Sequence, residues 1–85
     1  MRQFSYKVND KLGIHARPAN ALAKMAKKYE CRIELKKGNE GVDMKKMMAM
    51  MKLNIHCGEA VQVVLEGADE DMAYSEVSEY FQNNI

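Results

Sequence analysis

Apolar residues recur at every second position in three stretches of the chain: Phe4/Tyr6/Val8, Cys31/Ile33/Leu35, and the nearly continuous Ala60-Val61-Gln62-Val63-Val64-Leu65. Period two places alternate side chains on one face of an extended chain, so each stretch predicts a β-strand with one buried face. Lys37-Gly38-Asn39 carries hairpin turn chemistry and predicts a fourth, short strand over Glu40–Asp43. Its shortness makes it an edge strand.

Helical spacing fills the intervals. From Ala16 to about Lys28, Pro18, Leu22, Met25, Ala26 and Tyr29 fall on one face, with Lys24, Lys27 and Lys28 largely off it. Proline suits the first turn, where its missing N–H would have no partner in any case. A second, short helix is predicted near Lys46–Leu53, stopping before Asn54, which tolerates the left-handed cap conformation. A third runs from about Glu70 to Asn83, with Asp69 as N-cap, acids in its first turn, and Ala73/Val77/Tyr80/Phe81 facing inward. The order β-α-β-β-α-β-α predicts an α+β, two-layer sandwich in which an antiparallel sheet carries the helices on one face. Periodicity alone leaves the strand order open.

With 85 residues, the chain makes a single domain spanning 1–85. One proline, five glycines and 47% hydrophobic residues describe an ordinary globular protein rather than a disordered one. The N-terminal segment has no apolar core of signal-peptide length, and the longest apolar run, Met47–Met51, is too short to span a bilayer. A cytoplasmic protein with no direct membrane insertion is therefore expected. Two cysteines, Cys31 and Cys57, are too few for a secreted disulfide scaffold.

The net charge of +1 conceals a division. Residues 1–40 hold ten Lys/Arg against four Asp/Glu, whereas residues 41–85 hold three against eight, giving +6 and −5. This excludes uniform basicity, the usual footprint of nucleic-acid binding, while leaving room for a local basic face.

That basic half contains the densest chemistry, Gly13-Ile14-His15-Ala16-Arg17-Pro18-Ala19. A glycine turn delivers His15 to the start of the first helix, where unpaired N–H groups and the positive end of the dipole attract anions. Arg17 adds a guanidinium fork suited to phosphate oxygens. His15 is thereby placed to attack a phosphoryl donor, hold the group on a ring nitrogen and pass it on. The bland alternative is a helix-capping histidine beside a solvated arginine. No metal-ligand set or acid–base pair accompanies these residues, so the expectation is a carrier without a cofactor rather than an independent enzyme.

The same seven residues resemble the signature of HPr, the histidine-containing phosphocarrier family of the bacterial phosphoenolpyruvate-dependent sugar phosphotransferase system. The similarity extends through Val42-Asp43-Met44-Lys45, the helix ending at Leu53, and Glu66-Gly67-Ala68-Asp69-Glu70. The resemblance implies an open-faced sandwich with strand order 1-4-2-3. It also implies phosphorylation of His15 on Nδ1 by enzyme I and transfer onward to enzyme IIA components. By the same resemblance Arg17 contacts the phosphoryl group, and the amides of Ala16 and Arg17 help to hold it. Two positions depart from the family pattern. Lys46 stands where the regulatory serine of many Gram-positive members falls, and Leu12 stands where relatives often carry a polar residue.

Five of the eight methionines lie between Met44 and Met51. Met50 and Leu53 share a core-facing side, while Met47, Met48 and Met51 turn elsewhere and present adaptable apolar surface. Core filling is the competing account; the resemblance favours docking of enzyme I and enzyme IIA. Arg17, Lys24 and Lys27 line one flank of the first helix, and Lys45 with Lys46 extends the field that steers acidic partners to His15.

Two rival classes fit less well. A ferredoxin-like metal carrier needs paired soft ligands, and His56-Cys57 supplies no Cys-x-x-Cys. An RNA-binding domain needs an aromatic platform, for which only Phe4 and Tyr6 are available. The residues predict a phosphoryl carrier, expected to be a monomer that binds no nucleic acid, and the resemblance implies enzyme I and enzyme IIA components as its partners.

Overall fold

In the computed structural model, which describes all residues 1–85, every predicted element forms in the predicted order. The strands are β1 (Arg2–Lys7), β2 (Arg32–Lys37), β3 (Glu40–Asp43) and β4 (Ala60–Glu66). The helices are α1 (Ala16–Lys27), α2 (Met47–Lys52) and α3 (Glu70–Asn84). The sheet order is β1-β4-β2-β3, with every neighbouring pair antiparallel, so β3 lies at an edge.

Register explains why the alternation reads so clearly. Phe4 pairs with Val63 and Tyr6 with Val61, while Ile33 and Leu35 on the other side of β4 pair with Leu65 and Val63. Directly opposed residues share a face, so the apolar members of four strands form one continuous surface. The helices cover it: α3 packs against β1 and β4, α2 against β3, and α1 touches both other helices. Phe81 reaches into the sheet and meets Phe4 and Tyr6 edge-on, at centroid separations of 5.5 and 5.6 Å. Aromatic pairs favour this geometry because a positive ring edge faces a negative ring face.

The α1 face differs in detail from its predicted stripe. Pro18, Leu22 and Ala26 are buried as expected, but Ala19 and Ala23 are buried with them, and Met25 and Tyr29 are half-buried at the rim. Small alanines let α1 lie close to its neighbours. At the end of α2, Asn54 adopts φ 58°, the left-handed turn its residue type allows. Lys37 Nζ satisfies two carbonyls freed there, those of Leu53 at 3.3 Å and Asn54 at 3.0 Å.

Asp69 occupies the N-cap position of α3, but its carboxylate makes no capping bond. It accepts instead from the N–H groups of Glu30 and Cys31, at 2.8 and 2.9 Å, and ties the α1–β2 connection to the start of α3. These donors hold the carboxyl below its ordinary range, the Glu30 amide most of all. Gly67 makes the approach feasible, since a Cβ there would collide with Cα and Cβ of Cys31. Burial, reinforced by Asp69, pushes the Cys31 thiol up to about 11, whereas Cys57 is exposed.

Candidate functional site

The segment between β1 and α1 is fixed from three sides before it reaches His15. Val8 exchanges backbone hydrogen bonds with the turn before β4: its N–H donates to Glu59 at 2.9 Å, and its carbonyl accepts from Gly58 at 2.7 Å. The N–H groups of Asn9 and Asp10 both donate to the main-chain oxygen of Ile85, at 2.7 and 2.6 Å. Ile14 is buried and donates its N–H to the Ile55 carbonyl at 3.2 Å. Between these anchors Gly13 takes φ 67°, a conformation that glycine reaches without a Cβ clash.

The chain then enters α1 with His15 as its N-cap, at φ −97° and ψ −168°. The imidazole makes no capping bond, so the ring is not spent on satisfying the helix end. Ala19 donates to the His15 carbonyl at 3.0 Å, Pro18 has no N–H, and the amides of Ala16 and Arg17 have no protein acceptor. Two free donors thus lie immediately after the histidine, at the positive end of a 12-residue helix. Arg17 is exposed and forms no salt bridge, leaving its guanidinium available to an incoming anion. His15 is 32% exposed at its side chain, and its Nε2 lies 3.8 Å from Oδ2 of Asp10.

Asp10 is the site residue that motif reasoning missed. An acid five residues before a histidine carries no recognisable pattern, and only the closed loop turns it toward the ring.

The predicted docking residues distribute unevenly. Lys24 and Lys27 are exposed on α1 and unpaired; Lys45 is half-buried and Lys46 exposed at the start of α2. Met50 and Leu53 enter the core as expected. Met47 and Met51 are part-buried and pack against the edge of that core, while Met48 stands out at 63% exposure, so the three divide between core filling and exposed surface. Leu12 beside the His15 loop is 70% exposed and adds apolar surface there. Lys46 occupies the N-cap of α2 with no side-chain cap. His56 and Cys57 lie in the loop before β4, where His56 pairs with Glu59 at 3.3 Å.

Neither surface depression, of about 180 and 120 Å³, includes His15 among its lining residues. A part-exposed imidazole beside two free amide donors, on an open sandwich, makes a shallow, solvent-facing site suited to a small anion. The comparisons with known proteins give this chain its family. The model described as "PTS HPr component phosphorylation site" matches residues 2–83, and the chain belongs to this family of phosphocarriers of the phosphotransferase system.

It is 34% identical over 79 residues to the phosphocarrier protein HPr of Treponema pallidum, covering 93% of this chain and 90% of that one. Among solved structures, HPr-C-His from Thermoanaerobacter tengcongensis superposes with a TM-score of 0.90 at 30% identity, covering 96% of this chain and 92% of that one. An HPr dimer from the same organism superposes with a TM-score of 0.76 at 30% identity, covering 98% and 95%. The expected fold, strand order and family are thereby established.

Proposed function

We propose that His15 is the phosphoryl acceptor of this phosphocarrier, that enzyme I is its donor and that enzyme IIA components receive the group. The observation that carries this reading is the conjunction at the start of α1: an uncommitted imidazole at the N-cap, followed by the unpaired amides of Ala16 and Arg17. Nδ1 forms the bond to phosphorus, the two amides and the Arg17 guanidinium hold the phosphoryl oxygens, and the open setting lets the next acceptor approach in line. These contacts hold charge without enclosing it, which suits a group that must leave again.

Lys24, Lys27 and Lys45 steer acidic partners, while Met47, Met48 and Met51 supply the apolar docking surface beside them. The half-burial of Met47 and Met51 supports a shallow contact centred on Met48. Lys46 replaces the family's regulatory serine at the α2 N-cap and offers no hydroxyl to a kinase. The carrier works in the cytoplasm as a monomer.

Incubation with phosphoenolpyruvate and enzyme I, followed by mass spectrometry, tests the assignment. One acid-labile, base-stable phosphoryl group is expected on His15; transfer that survives His15→Ala would refute it. An HPr kinase with ATP is expected to leave the chain unmodified, and phosphoserine would refute the reading of Lys46.

A further inference from the structure

Asp10 is immobilised by three hydrogen bonds. Its N–H donates to the Ile85 main-chain oxygen at 2.6 Å, its carbonyl accepts from the Gly13 N–H at 2.9 Å, and its Oδ1 accepts from the Leu12 N–H at 2.9 Å. The remaining carboxylate oxygen, Oδ2, faces Nε2 of His15 at 3.8 Å, the one charged contact the imidazole makes. This is longer than a hydrogen bond, as catalytic contacts often are before the reacting partner arrives. An ionised carboxylate only accepts, so the ring nitrogen facing it is favoured as N–H. A neutral imidazole has one such proton, and placing it on Nε2 leaves the lone pair on Nδ1.

We propose that Asp10 is a positioning residue that keeps the His15 proton on Nε2, so that Nδ1 presents its lone pair to the phosphoryl donor. The assignment rests on the reading of His15 as acceptor. In the transfer the Nδ1 lone pair forms the N–P bond as the bond between phosphorus and the donor atom breaks, and that electron pair leaves with the donor. The Nε2 proton stays in place, the ring becomes cationic, and Asp10 faces the new charge. Onward transfer returns the N–P electron pair to Nδ1 and regenerates the neutral ring with its proton still on Nε2. Asp10 acts through His15, not on the phosphoryl group.

A purely structural role would be confined to the Oδ1 bond to Leu12, and Asp10→Asn separates the two. Asparagine retains an oxygen for the Leu12 amide but turns a donor NH₂ toward His15, which favours a lone pair on Nε2 and a proton on Nδ1. Side-chain ¹⁵N NMR on the unphosphorylated full chain, at about pH 9 where an imidazole is neutral, reads the tautomer directly. The wild-type chain is expected to show Nε2–H, and Asp10→Asn a population moved toward Nδ1–H with the Leu12 amide resonance in place. Phosphorylation by enzyme I is expected to slow by about tenfold or more, because a wrong tautomer withholds the nucleophilic lone pair. Asp10→Glu, which restores a carboxylate, is expected to keep Nε2–H. An unchanged tautomer ratio in Asp10→Asn overturns the proposal, whether or not transfer slows. Failure of the wild-type chain to accept a phosphoryl group refutes the carrier reading instead; the tautomer measurement requires no donor and separates the two failures.

Discussion

The His15 loop crosses the segment before β4 so closely that a Cβ on Gly13 would fall on the carbonyl oxygen of Ile55. That carbonyl already accepts the Ile14 N–H, so the contact is backbone on backbone and neither side can yield by rotating a side chain. Gly13 at φ 67° therefore sets both the turn and the approach of His15 to α1.

Gly13→Ala is expected to destabilise the domain by about 2 kcal/mol or more, since strain at a positive φ and a backbone clash add together. Chemical denaturation measures the loss. Phosphorylation of the folded fraction is expected to slow as well, because His15 shifts with the loop. A stability within error of wild type would contradict the contact.

Asp69 predicts a particular acid sensitivity. The Glu30 and Cys31 amides hold its carboxyl below the ordinary 3.8, so the folded state binds a proton less readily than the unfolded chain. The stabilisation is present above the unfolded value and is lost as pH falls through the depressed folded one. Thermal melts of Asp69→Asn are expected to start lower near neutral pH and to converge on wild type below that range. Parallel curves at all pH values would show that the two amide bonds contribute nothing through ionisation.

The opposite sign applies to Tyr29. Its hydroxyl donates to Glu76, which also pairs with Lys28 at 2.7 Å, and the bond to Glu76 pushes the phenol up to about 12. A raised pKa gives stability that is present below the unfolded value of 10 and is lost as pH rises through about 12. Ultraviolet titration is expected to show one tyrosine ionising late, and Glu76→Gln to bring it back toward 10. An unchanged titration in Glu76→Gln would place the cause elsewhere.

Met48 tests the docking surface apart from the chemistry. Its side chain is 63% exposed, so Met48→Asp leaves the core intact and the melting temperature nearly unchanged. It is expected to raise the KM for transfer from enzyme I about tenfold, the effect of losing an interface anchor worth about 1.4 kcal/mol, with kcat little altered. Equal kinetics would remove α2 from the interface.

The sequence by itself determined the elements of this protein and the glycine turn that leads into α1. Alternation over Phe4–Val8 and Ala60–Leu65, helical spacing from Ala16, and the stop at Asn54 are local signals, and all of them formed as read. Gly13 through Ala19 was legible because a turn, a helix start and a phosphate-suited side chain occur within seven residues. Pairing and proximity were decided by the tertiary structure. Asp69 looked like a cap until its carboxylate found the amides at positions 30 and 31, across 38 or more residues of chain. Spacing left Met47, Met48 and Met51 open between core filling and exposed surface, and the packing of α2 divided them. Asp10 gained its place beside His15 only when its N–H and that of Asn9 closed onto Ile85 at the far end of the chain. Spacing records what one element presents on its own faces; which groups meet depends on packing between elements distant in sequence.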